Sequence, residues 1–110
     1  MFKMVKTINR LEWPVKVQVP ADGGKTDTHE FTAVFKLLPQ AEYDKLLRTA
    51  EDDAAMLGEL VQGWHGLTDE AGEELEYSLD VIKELCQYPF IRTAIFRAYG
   101  EAASGVASKN

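Results

Sequence analysis

From Pro14 onward, Val15, Val17 and Val19 alternate with Lys16 and Gln18, the period of a strand with one buried face. Pro14 is expected to open that strand, because proline has no donor to give to a ladder. The run Pro20-Ala21-Asp22-Gly23-Gly24-Lys25-Thr26-Asp27 is turn chemistry, with a glycine pair supplying backbone freedom. A second alternation follows, Phe31, Ala33, Phe35 and Leu37 on one side and Glu30, Thr32 and Lys36 on the other. The two runs predict an antiparallel hairpin. Two strands alone are marginal in water, so their Val and Phe faces require helices packed against them. Residues 1–10 mix Lys and Arg with scattered apolar positions and give no clean period, which fits a short strand or a mobile arm.

Pro39 suits the first position of a helix, where its missing donor is harmless. Apolar residues then recur at Tyr43, Leu47, Ala50, Ala54, Leu57, Val61 and Trp64, with Leu46 and Leu60 widening the seam. Glu51-Asp52-Asp53 interrupts it and Gly58 weakens it. Two helices are therefore favoured over one bent helix, the second capped by Asp52 or Asp53, and Gly63 and Gly66 end the seam. The polar stretch Thr68 to Glu74 reads as a small ribbon or loop pinned by Leu67, Leu75 and Tyr77. Ser78 is a suitable cap for a short helix carrying Val81, Ile82 and Leu85, with Asp80 favourable to its dipole. Tyr88-Pro89 breaks that helix and starts the last one, whose stripe is Ile91, Ala94, Ile95, Ala98, Tyr99 and Ala102. The fold class expected is α+β, an N-terminal antiparallel β-hairpin packed against a C-terminal bundle of about four helices. Residues 1–104 form one domain in this reading, and residues 105–110 a flexible tail.

With 110 residues the chain is long enough for one real core. No apolar run exceeds four residues, so neither a signal peptide nor a membrane span is expected. Lone Cys86 cannot form an internal disulfide, which agrees with a reducing compartment and a small buried hydrophobe. Charge is unevenly distributed along the chain. Residues 42–84 hold thirteen acids against three bases, a balance of -10; the whole chain carries -6, so the remainder is +4. An acidic middle disfavours nucleic acid and suits either solvation or a basic protein partner.

Candidate chemistry is sparse. His29 and His65 are the only histidines, and neither has a second His or Cys at metal spacing. The acids from Asp69 to Glu76 lack the order of a calcium loop. No serine or cysteine has an evident base, and no carboxyl pair has an apolar pocket to hold one member protonated. No enzyme, metal or cofactor site is expected. Trp64, at the end of the seam, reads as an anchor of the core or as a binding hot spot. Phe90 and Phe96 fall off the last helical stripe, and with Arg97 and Tyr99 they form a candidate interface or a second packing face.

The order Gly63-Trp64-x-Gly66-Leu67, then Asp69-Glu70-x-Gly72, then Tyr77-Ser78, then Pro89 to Tyr99, resembles the phage tail assembly chaperones of long-tailed bacterial viruses. The likeness extends upstream in the aromatic-Pro-Val start at Trp13, the Gly-Gly turn, and the Phe-x-Ala-x-Phe-x-x-Leu run from Phe31 to Leu38. It implies a non-enzymatic morphogenesis protein of phage or prophage origin. Such a protein would hold tail tube and tape measure proteins soluble in the host bacterial cytoplasm, form homo-oligomers and be absent from the mature virion. Gly63, Trp64, Gly66, Tyr77 and Pro89 carry over as fold markers, without catalytic or ligand roles. Several members of the family are made in two lengths by frameshifting, and Ser108-Lys109-Asn110 can be encoded by an adenine run. The reading from the residues alone leaves a second class open, a small acidic regulatory adaptor or inhibitor.

Overall fold

A computed structural model describes residues 1–4 and 7–108. Element order is β1 (Ile8–Ala21), β2 (Lys25–Leu37), α1 (Gln40–Thr49), α2 (Asp53–Leu60), β3 (Val61–His65), α3 (Leu79–Cys86) and α4 (Pro89–Ala103). The architecture is α+β: β1 and β2 form the expected antiparallel hairpin, and β3 adds a third antiparallel strand against β2, in the order β1-β2-β3. Gly23 and Gly24 in the connecting turn have φ of 81° and 76°, a left-handed backbone that glycine adopts without steric cost.

Strand β1 begins six residues earlier than the alternation indicated, and Pro14 lies within it, opposite Thr32. That corrects the expectation that Pro14 opens the strand. β1 pairs on one side only, and an edge strand tolerates a residue that cannot donate outward. The register slips between Ile8 and Leu11, which obscures the period in the first ten residues. Val5 and Lys6 lie outside the described residues.

The larger correction concerns the end of the helical seam. Val61 and Trp64 do not extend α2; they belong to β3, opposite Phe35 and Ala33 respectively. Gly63 faces Val34, so the register leaves Gln62 as an extra residue, a β-bulge. A bulge resets the side-chain alternation. Val61 and Trp64, three apart, thereby share the face of Phe35 and Ala33, and the spacing of a bulged strand imitates a helical turn. Leu47, also on the predicted seam, is 60% exposed.

Helix boundaries follow their caps. The Asp52 carboxylate accepts from the Ala55 N–H at 2.8 Å, and the Ser78 hydroxyl accepts from the Val81 N–H at 3.1 Å, each meeting a helix donor that has no partner within the helix. Pro89 occupies the first turn of α4. Beyond α4, the Gly105 N–H donates to the Ala102 carbonyl and the Val106 N–H to the Glu101 carbonyl, the paired closure of a Schellman motif. Hydrogen-bonded backbone thus continues to Val106; Lys109 and Asn110 lie outside the described residues.

The core lies between the sheet and the helices. Val15, Phe31, Ala33 and Phe35 come from the sheet, Met56, Leu57 and Leu60 from α2, Ile82 from α3, and Ala94, Ile95, Ala98 and Tyr99 from α4. Helix α4 packs chiefly along β1, and the alanines at 94, 98 and 102 allow the close approach. Val34 is 2% exposed yet stands apart from that cluster, beside Glu12 and Gly63 on the opposite sheet face.

Candidate functional site

The segment from Gly63 to Tyr77 folds back on the edge of the sheet. At Gly66 the chain turns with φ of 76°, a backbone that a side chain would strain. Gly63, by contrast, sits inside β3, and a Cβ there would meet Val34 at an ordinary 3.8 Å. The chain therefore turns at Gly66 and not at Gly63. After it the chain forms a short ribbon. The Leu75 N–H donates to the Leu67 carbonyl, the Asp69 N–H donates to the Glu73 carbonyl, and Thr68 and Glu74 form an isolated bridge. The Asp69 carboxylate accepts from the N–H groups of Ala71 and Glu73 at 2.9 and 3.0 Å, and the Glu74 carboxylate accepts from the Gly66 N–H at 3.2 Å. These acids hold the turn with charge-assisted bonds.

Two aromatic side chains lock the ribbon to β3. The Trp64 indole N–H donates to the Leu75 carbonyl at 2.7 Å, the Tyr77 hydroxyl donates to the Val61 carbonyl at 2.6 Å, and the rings lie 5.0 Å apart. Each bond crosses from strand to ribbon, in opposite directions. Trp64 is half-buried and packs against the core, joining the strand to the ribbon rather than ending a helix. Burial pushes the Tyr77 phenol above its ordinary 10.0, and the Glu59 carboxylate adds to the rise.

The candidate interface residues on α4 separate. Tyr99 is 3% exposed, with its ring edge-on to Phe35 at 5.4 Å and stacked on Tyr43 at 5.8 Å. Its hydroxyl accepts from the Leu38 N–H at 3.1 Å. Tyr99 is thus a tie between α4, β2 and α1 and offers no free surface. Burial is the main cause of its raised phenol pKa, Tyr43 adds to it, and the Leu38 N–H opposes it. Phe90 and Phe96 are half-buried against the core and Arg97 is exposed.

Phe90 does line a groove of about 280 Å³ that the sequence did not single out. Val17, Val19 and Phe31 form its sheet wall, Leu67 its ribbon wall, and Leu85 and Ile91 its helical wall, with His29 and Glu30 at the rim. Only the tertiary fold brings these segments together. A signal existed in part: Leu67 is the apolar residue that follows the Gly66 turn.

Among the described residues, the titratable groups do not converge on a reactive centre. His65 pairs with Glu12 at 2.9 Å across the sheet, both mostly exposed, an arrangement of small energetic weight. Arg92 reaches Asp53 at 3.3 Å and donates to the Cys86 carbonyl at 3.1 Å. Cys86 is buried, and its thiol pKa is raised by that burial and by Asp53. Among the described residues, no group of three or more His, Cys, Asp or Glu could hold a metal ion, and no helix is long and apolar enough to cross a membrane. Of the thirteen acids in residues 42–84, all but Asp44 are exposed. Comparison with protein-family models, curated proteins and solved structures gives no match.

Proposed function

We propose that this chain is a non-enzymatic assembly chaperone for the tail proteins of a long-tailed phage or prophage, acting in the host cytoplasm on tail tube or tape measure protein. The observation that carries the reading is the ordered run of Gly63-Trp64-x-Gly66-Leu67, Asp69-Glu70-x-Gly72, Tyr77-Ser78 and Pro89 to Tyr99. Support comes from the part these residues play: Trp64 and Tyr77 bind backbone carbonyls of the ribbon and strand, which gives the motif a reason to keep its spacing. The exposed acids of the middle region also suit the holding of a client segment that carries basic side chains.

The test is co-expression with the tube or tape measure protein of the same genome. Soluble client should increase without added nucleotide or metal, and the complex should weaken with salt, because exposed charges are screened over about 8 to 10 Å near physiological ionic strength. Unchanged client solubility would contradict the proposal. The exposed acids of the middle region favour one other reading, an acidic adaptor or inhibitor of a basic protein. A gene beside a nuclease or toxin, with tight binding to that neighbour, would decide for it.

A further inference from the structure

Met1, Phe2 and Met4 form the most exposed apolar stretch of the described chain: Phe2 is 87% exposed and Met4 75%, and residues 1–4 belong to no helix or strand. Three large apolar side chains in four residues leave much apolar surface in water, and such surface marks an interaction site. The groove walled by Val17, Val19, Phe31, Leu67, Leu85 and Phe90 is the complementary feature, concave and apolar. Charge matches as well. Met1-Phe2-Lys3-Met4-Val5-Lys6 carries two lysines and no acid, whereas Glu30 stands at the groove rim and Asp69 and Glu70 follow Thr68, another lining residue.

The arm is too short to fill the middle of its own groove. Val17 and Val19 lie nine and eleven residues along β1 from Ile8, a distance of about 30 to 36 Å at the rise of a strand. Phe2 precedes Ile8 by six residues, a reach of about 20 Å at full extension. A second copy has no such restriction. We propose that residues 1–4 of one copy dock in this groove of another, Phe2 and Met4 entering the apolar floor and Lys3 facing Glu30. Reciprocal exchange closes a two-fold dimer; one-way exchange builds a ring or chain of copies. The exchange does not depend on which client the chain serves, and a monomer that still protects a tail protein would overturn the exchange alone.

Sedimentation equilibrium of the full chain is the test, with two variants. The wild type should form species larger than 12.3 kDa. Phe2→Asp combined with Met4→Asp touches only exposed residues and should weaken the association at least about tenfold, as removal of apolar anchors does. Leu67→Glu should weaken it comparably at an unchanged circular dichroism spectrum; if that variant fails to fold, the arm variant decides alone. In a mixture of Phe2→Cys and Thr68→Cys chains, oxidation should link one chain to the other. A strictly monomeric wild type, an oligomer indifferent to the arm variant, or the absence of any link between the Phe2→Cys and Thr68→Cys chains would overturn the proposal.

Discussion

Helices α1 and α4 both start beside a proline, yet α4 buries five residues and α1 buries none. Their sequences do not announce the difference. α1 carries Tyr43, Leu46 and Leu47 within ten residues, and Leu47 ends up mostly in water. The buried positions of α4 include three alanines, and these small residues let β1 come close enough to cover the helix. Periodicity marks the face of a helix that could be buried. Whether it is buried depends on what the rest of the chain brings to it. Tyr99 is the meeting point of the two cases, since its ring holds Tyr43 of α1 and its hydroxyl receives the Leu38 N–H just before α1.

The sharpest way to break this contrast is to truncate one residue on each helix. Tyr99→Ala should cost about 4 kcal/mol, from lost packing around Phe35 and Tyr43 and an orphaned Leu38 donor. Leu47→Ala should change stability by less than about 0.5 kcal/mol. Equal losses in denaturant melts would mean that α1 is packed as firmly as α4.

Trp64→Ala comes next, at about 3 kcal/mol, because it removes a half-buried ring and leaves the Leu75 carbonyl without its donor. Tyr77→Phe removes only the hydroxyl bond to Val61 and should cost about 1 to 2 kcal/mol. A Trp64 variant losing less than Tyr77→Phe would show that neither the indole ring nor its bond to the Leu75 carbonyl holds the ribbon.

Alkaline pH separates the two regions more gently. The folded phenols of Tyr77 and Tyr99 hold their protons more tightly than ordinary tyrosine, chiefly through burial, so the unfolded chain releases protons first as pH rises. The stability they contribute is complete below about pH 10 and is lost as pH climbs through their folded values. Cys86, raised from an ordinary 9.0 mainly by burial, contributes with the same sign. Melts at about pH 8 and about pH 11 should differ, and Tyr77→Phe with Tyr99→Phe should reduce the difference. A pH response untouched by the double variant would place the sensitivity elsewhere.

The hairpin, the division of the first helical region in two, both side-chain caps and the face of α4 were legible, because each rests on local rules of alternation, capping and period. The Asp52 and Ser78 caps are instances: a short polar side chain and a following helix suffice to define them. β3 was not legible, since Gln62 bulges and leaves Val61 and Trp64 at a helical spacing. The hydrogen bonds of Trp64 and Tyr77 were equally hidden, because their acceptors are backbone carbonyls eleven and sixteen residues away. The groove was invisible for the same reason, being assembled from the hairpin, the ribbon and two helices.

If the chain keeps tail proteins from aggregating, as proposed, dilution of denatured tail tube protein into buffer that contains it will show this. In the presence of an equal amount of this protein, without nucleotide or metal, light scattering should stay low and the client should be recovered in a soluble complex. Scattering that rises at the same rate and to the same height as in buffer alone would contradict the claim.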